Sequence, residues 1–481
     1  MGGPRFRLLE DAQLQRLHET SLALLEDPGV QITTEGARSL LVGGGCTLRA
    51  GDVVSIPPRL VEEALASAPR TFTLHDRTGA ERLHLGVGNT YFGSGVTALR
   101  YIDPATGEAR DFTLQDFADV ATLTDALPNI DFVTTPGVVR PSEELPLPLV
   151  NQYEFLAMVT NTSKPLVVLI ADGAALSDVF EMAAAVAGGR EELRRRPFVV
   201  PYLNPVTPLV FNPETLDKLL LAAEWGMPVV CQSAPQAGAT SPVTMAGTAA
   251  LANAESLAAL VICQLKREGT PFITGSVPMA VDMRSGNAAG GGPLAVLLVI
   301  AAGELARFYG LPVLGIGGGG DAKLADEQAA SETTFYAFGA VLAGLDLVFD
   351  VGSIEAGLAH SPEVVVMLDE VVEMCRSVLR GFDTDDESLA LETMRQVGVG
   401  GQFLSTPHTL RHFRELWQPI LYSWDDRRTW SEAGSTTMGE RTRARVAKIL
   451  AEHRAEALSA DVLDAMTSVI NARRREISSA G

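Results

Sequence analysis

The chain is short of positive charge. Its 481 residues carry 38 Lys and Arg against 59 Asp and Glu, a formal net charge of −21. A surface this acidic repels nucleic acid and anionic membranes, so neither is expected as a partner, while cations are attracted. Cysteine is also scarce: Cys46, Cys231, Cys263 and Cys375 lie far apart with no CxxC spacing, which argues against a disulfide framework and a structural zinc site and fits a reducing cytoplasm. Long apolar runs are missing too. The longest, starting at Pro293, meets Glu304 and Arg307 too early to span a bilayer, so no transmembrane segment is expected. The opening residues turn charged and amphipathic at once and lack the apolar centre of a signal peptide. Met1-Gly2 is a weak myristoylation cue, spoiled by Phe6 where Ser or Thr is needed. A cytoplasmic location follows as the expectation. With 46% apolar residues the chain has enough material for a large core, which excludes disorder as its main state.

Residues 1–89 read as a helical lead-in or cap. Asp11 to Leu25 has helical apolar spacing (Leu14, Leu17, Leu22, Leu25) and stops at Asp27-Pro28-Gly29. Thr34 to Leu41 and Leu60 to Ser67 follow as shorter helices, and Phe72 to His75 alternates like a strand. From 90 to 360 the rhythm changes. Eight short apolar runs, at 90–92, 130–135, 165–171, 198–204, 228–232, 271–276, 312–317 and 347–352, are separated mostly by helix-length segments such as Glu214 to Trp225 and Ala246 to Leu265. Strands that alternate with such helices pair in parallel, and eight units predict an α/β fold, a (β/α)8 barrel. The competing open doubly wound sheet needs a glycine-rich fingerprint after its first strand, where Gly93-Ser94-Gly95 supplies only GxG. Residues 361–481 read as a helical C-terminal extension packed on the barrel. Trp417, Trp424 and Trp430 fall in a loop-rich part of it, and the arginines at 441–445 and 473–475 read as solvated helix faces.

In a barrel the chemistry sits at the C-terminal strand ends. Here these ends offer Phe92-Gly93, Thr135, Asp172, Asn204, Gln232-Ser233, Thr274 to Ser276, Gly317 to Asp321, and Asp350 with Gly352 and Ser353, a ring that is polar but thin in charge. The strongest local feature is Gly317-Gly318-Gly319-Gly320-Asp321. It reads as a phosphate cradle, as a tight turn, or, preferred here, as an opened cavity flanked by Asp321 and by Gln328 and Glu332, which share a helix face. Glu255 stands out as a carboxylate inside an otherwise small and apolar helix. Asp282 and Arg284 read as a loop brace. His408 and His412 are spaced i,i+4, but Thr409-Leu410 stands where a zincin has its carboxylate, so no metal is expected; His360 is a candidate to line the pocket.

These residues and their order resemble a known family. Leu25 to Gln31, Ile56-Pro57, Phe92 to Gly95, Asn129-Ile130-Asp131, Asn161-Thr162, Asn253-Ala254-Glu255, Phe308 to Pro312, Asp321-Ala322-Lys323 with Asp326 and Gln328-Ala329, and Val397-Gly398 are similar to the trimethylamine methyltransferase superfamily of corrinoid-dependent methylamine and betaine methyltransferases. The resemblance implies a (β/α)8 barrel and methyl transfer from an amine to the cobalt(I) of a partner corrinoid protein, with no cofactor bound tightly by this chain. Pyrrolysine stands two positions before Asp-Ala-Lys in the trimethylamine enzymes; that position is Gly319 here, which implies the non-pyrrolysine branch and a quaternary amine substrate such as glycine betaine. Asp321, Glu255 and Glu332 are then the candidates for negative charge, and Tyr91, Phe92, Tyr202 and Tyr336 for aromatic faces to the cation. Gly319 is expected to leave room for the substrate, with Gln328 alongside, and Asn204, Gln232, His360 or Arg284 to meet a carboxylate. A homo-oligomer is expected. Two alternatives stay open: a barrel lyase or isomerase acting on a phosphorylated molecule, and a barrel that binds betaines or a corrinoid protein without turnover.

Overall fold

Eight strands close into an all-parallel barrel in the computed structural model, which describes residues 6–95 and 97–480. In chain order they are β1 (Tyr91–Ser94), β2 (Phe132–Thr134), β3 (Leu166–Leu169), β4 (Val199–Leu203), β5 (Val229–Cys231), β6 (Phe272–Ser276), β7 (Val313–Ile316) and β8 (Leu347–Val351), and β8 pairs with β1 to complete the ring. All eight lie in or overlap the apolar runs of the sequence. Each strand is followed by a major helix: α1 (Leu114–Ala126), α2 (Val150–Asn161), α3 (Gly173–Ala187), α4 (Pro213–Trp225), α5 (Met245–Lys266), α6 (Pro293–Tyr309), α7 (Glu327–Ala343) and α8 (Pro362–Arg380). The strands read as continuous apolar runs because the lumen covers one face and the helices the other. Met1-Gly2 lies outside the described residues.

Local chemistry sets the helix ends. Thr113 and Asp116 make a reciprocal capping box at the start of α1, and the side chains of Asp172, Asn212 and Asp326 cap α3, α4 and α7. Asp172, a candidate at the strand ends, is thus a helix cap. Gly188, Gly226, Gly310 and Gly344 end α3, α4, α6 and α7 in the left-handed conformation. The eighth barrel helix, α8, lies past residue 360 and packs on α7 and α1.

The lead-in helices Asp11–Glu26, Glu35–Gly43 and Pro58–Ser67 pack on α5. This extra layer explains why α5 is apolar on nearly every side. It is the one helix among the described residues long and apolar enough to cross a bilayer, and most of it is buried within the protein. The lead-in also contains strands Val30–Ile32, Thr47–Leu48 and Val53–Ser55, joined by Val210–Phe211 from the β4–α4 loop. Strands of two or three residues are too short for periodicity to show them.

A hairpin, Phe72–His75 with Glu81–Leu85, covers the N-terminal end of the barrel. His75 N–H donates to Pro197 O just before β4, Arg77 N–H to Ser163 O before β3, and Gly86 N–H to Asp346 before β8. At the other end of the chain, two helices, Met438–Glu452 and Ala460–Ala480, return to the barrel. Their arginines are anchors as well as solvated charges: Arg473 pairs with Asp178 of α3 at 2.8 Å, and Arg445 lies 3.9 Å from Asp369 of α8.

Candidate active site

The end of β8 departs from regular pairing. Val348 faces Phe92 and Val351 faces Ser94, so two residues, Phe349 and Asp350, stand opposite Gly93 alone. Such a bulge re-aims a side chain at a barrel rim. Asp350 takes φ +82°, which a residue with a Cβ rarely adopts, and its N–H donates to Gly95 O at 3.2 Å. Its carboxylate is buried, and Oδ1 has no hydrogen-bond partner among the described residues. Burial pushes its pKa up to about 7, with nearby Ser353 offsetting part of the shift. The ring of Phe349 packs against Tyr202 of β4 at 5.5 Å between centroids. Since β4 and β8 lie on opposite sides of the ring of strands, this pair crosses the lumen.

The four glycines do not open a cavity. A Cβ at Gly317 would lie 2.4 Å from Val348 Cγ1, one at Gly318 2.5 Å from Val351 Cα, one at Gly319 2.2 Å from Asp350 Oδ2, and one at Gly320 2.4 Å from Glu332 Oε2. The run lets the end of β7 press against the bulge of β8, and the space above Gly319, expected to be vacant, holds the Asp350 carboxylate. The carboxylates expected to face an opening are engaged as well. Asp321 accepts from Gly290 N–H at 2.9 Å and Gly291 N–H at 2.8 Å; Glu332 accepts from Asp321 N–H at 2.7 Å, Ala322 N–H at 3.0 Å and Gln328 Nε2 at 2.8 Å. Tyr336 donates its hydroxyl to Gly290 O, closing the same lattice. Four backbone N–H groups around the glycine run, those of Gly290, Gly291, Asp321 and Ala322, are therefore satisfied by the protein's own carboxylates, which stand where a bound phosphate would meet negative charge.

Glu255 is fully buried on α5, where it accepts from Leu209 N–H at 2.6 Å, Thr207 Oγ1 at 2.9 Å and Ser233 Oγ. Burial raises its pKa, and these bonds oppose the shift. It fixes the β4–α4 loop and faces no open space. Tyr91 sits at the opposite end of the barrel, its hydroxyl accepting from His84 N–H at 3.1 Å. Phe92 shares a strand side with Ser94, whose Oγ accepts from Thr124 of α1 at 2.6 Å, so Phe92 points into the helix layer. Of the aromatics proposed from sequence, Tyr202 lies across the lumen from Phe349, and Tyr202 and Tyr336 both feel the Asp350 charge, which adds to the upward push that burial gives their pKa values.

The polar candidates divide. Asn204 Nδ2 donates to Gln232 O at 2.9 Å and Tyr202 Oη at 3.2 Å, and Gln232 Nε2 donates to Leu314 O, leaving Gln232 Oε1 unpaired among the described residues. Gln328 is exposed. Arg284 is exposed and pairs with Asp282 in its own loop at 3.3 Å. His360 is buried behind the β8 bulge, tilted on Phe112; burial pushes its pKa down to about 3, keeping the ring neutral, with Asp116 opposing.

Across its length, residues 2–478, the chain matches the trimethylamine methyltransferase (MTTB) family model. It belongs to the trimethylamine methyltransferase family. A trimethylamine methyltransferase, MttB, of Desulfitobacterium hafniense is 33% identical over 465 residues, covering 96% of this chain and 92% of that protein. A glycine betaine methyltransferase of the same species is 32% identical over 476 residues, covering 98% of both. Among solved structures, a dihydropteroate synthase from Stenotrophomonas maltophilia aligns over 62% of this chain and 96% of its own at 13% identity, with a TM-score of 0.37.

For this trimethylamine methyltransferase family member the structure changes which residues matter. The acids proposed from sequence, Asp321, Glu332 and Glu255, lace loops together, whereas among the described residues the buried carboxylate with an oxygen lacking a hydrogen-bond partner is Asp350. The sequence placed Asp350 at a strand end without selecting it. The available sign was an acid closing an otherwise apolar strand, Leu-Val-Phe-Asp-Val, next to a glycine run that leaves it room.

Proposed function

We propose that this methyltransferase demethylates a quaternary amine of the glycine betaine type, without pyrrolysine. The observation that carries the reading is the Asp350 carboxylate, buried, incompletely hydrogen-bonded and seated over Gly319. A fixed cation beside it would answer its unpaired charge, and the rings of Tyr202 and Phe349 lie near enough to the same lumen to offer π faces to N-methyl groups. Gln232 Oε1 adds a second unused acceptor. Asn204 Nδ2 has both hydrogens engaged, so this end of the lumen answers to the cationic part of a substrate.

In this reading the methyl group passes to the reduced cobalt of a corrinoid carried by a partner protein, the C–N bond breaking with its electron pair left on nitrogen. The departing tertiary amine takes no proton in that step, which fits a mouth where Asp321, Glu332 and Glu255 are all occupied as acceptors. The residues of this chain orient the N-methyl group, exclude water and hold negative charge against the ammonium. Gly319 supports the assignment because a side chain there collides with Asp350. The same proposal takes the protein as cytoplasmic and as a homo-oligomer.

The test is methyl transfer from a panel of quaternary amines (glycine betaine, carnitine, choline) to cob(I)alamin or a reduced corrinoid protein, read as methylcobalamin absorbance. Trimethylamine serves as the comparison. Turnover with at least one quaternary amine and none with trimethylamine is expected; the reverse pattern sinks the proposal.

A further inference from the structure

The C-terminal extension contains a stretch with no core of its own. None of residues 381–420 is buried, and large apolar side chains such as Phe382, Leu404 and Leu410 are 91%, 82% and 74% exposed. Such a segment needs cross-links to hold a defined shape. Two of its helical turns, Asp386–Leu389 and Pro407–His412, meet through one polar cluster. The i,i+4 pair His408 and His412 stacks with ring centroids 4.4 Å apart, and the carboxylate missing between them in sequence arrives from the other turn as Glu387.

His412 Nε2 lies 3.1 Å from Glu387 Oε1, and its Nδ1 donates to Glu415 Oε1 at 2.8 Å. His408 Nε2 donates to Glu387 O at 3.1 Å, and Arg411 Nη2 donates to Glu387 Oε1 at 2.6 Å. One ligand atom from each of Glu387, His408 and His412 falls within 4.8 Å of the others. We propose that Glu387, His408 and His412 form a binding site for a divalent cation of the zinc and cobalt class, which staples the two turns. Two imidazoles and one carboxylate suit such borderline ions and do not suit calcium or magnesium, which prefer all-oxygen shells. Glu415 on His412 Nδ1 is the outer carboxylate that commonly fixes a metal-binding imidazole. Exposure leaves the remaining coordination positions to water. On binding, His412 Nε2 exchanges its proton for the metal and the proton goes to solvent; Arg411 withdraws from Glu387.

The experiment uses the full chain after chelator treatment. Zinc(II) titration by calorimetry is expected to show one site per chain, and cobalt(II) to give visible ligand-field bands from imidazole coordination. His408→Gln keeps a side-chain donor for Glu387 O while removing the imidazole, and Glu387→Gln removes the charge; each is expected to weaken binding at least about tenfold. Arg411→Ala, which frees Glu387, is expected to leave binding unchanged or tighten it. Bound zinc should also slow proteolysis within residues 382–424. Absence of binding at sub-millimolar zinc, or binding that survives both His408→Gln and Glu387→Gln, overturns the proposal.

Discussion

Gly319 and Asp350 occupy one space: a Cβ on the first would stand 2.2 Å from Oδ2 of the second. The relation couples two segments, the end of β7 and the bulge of β8. Gly319→Ala should therefore displace the Asp350 carboxylate first, with Ser353 Cβ, 3.1 Å away, the next atom to feel it. Methyl transfer from the best quaternary amine is expected to fall at least about tenfold in kcat/KM, equivalent to about 1.4 kcal/mol of transition-state stabilisation. An alanine variant with wild-type kcat/KM would separate the glycine from the site.

Asp350 is pushed up to about 7 by burial, so its charge changes near neutrality. Only the ionised form attracts a quaternary cation. Substrate affinity should rise as pH increases from about 6 to 8, with proton release on binding. Calorimetry in buffers of different ionisation heat measures that proton, and Asp350→Asn should abolish both the release and the pH dependence.

The same carboxylate has an effect on stability. Its folded pKa lies above the ordinary aspartate value of about 3.9, so the folded protein keeps a proton that the unfolded chain has lost. The contribution is present below about pH 4 and is lost as pH rises through about 7. Asp350→Asn should then stabilise the protein by about 1–3 kcal/mol at pH 8, and by less at pH 5. Urea unfolding at the two pH values gives the comparison.

Asp321 and Glu332 hold backbone N–H groups and should behave as braces. Asp321→Asn and Glu332→Gln are each expected to cost about 1–3 kcal/mol of stability. Thermal melts should fall for both, whereas the pH dependence of substrate affinity, set by Asp350, should persist. Loss of that pH dependence in either variant would assign the brace a more direct part.

Arg473 fastens the last helix through Asp178. Arg473→Ala should expose residues 460–480 to limited proteolysis, with the barrel fragment remaining intact; an unchanged digestion pattern would show that apolar packing of Met466 and Ile470 suffices.

The barrel was legible because each strand, covered on both faces, is a short apolar run between helices. The positions of side chains within it were less so. The first apolar run reads as ending at Phe92-Gly93, yet β1 continues through Gly93 and Ser94, residues with little strand preference of their own. The glycine run announced that something comes close to the backbone, but whether that is a ligand or another strand depends on the β8–β1 register. A bulge at Asp350 has no periodic signature, since it is set by pairing between residues more than 250 positions apart. Glu387 was invisible as a companion of His408 and His412 because the meeting of their two helical turns has no periodic signature either.

The hairpin across the N-terminal end of the strands closes that floor of the barrel, so a ligand of the strand-end residues comes from the C-terminal side. In the reaction proposed above, the small amine and the protein that collects its methyl group would both approach from that end. An ordered sequence, amine first and acceptor second, is the expectation that this arrangement sets for the proposed reaction. Product inhibition patterns, more than any single residue, will carry the imprint of that closed floor.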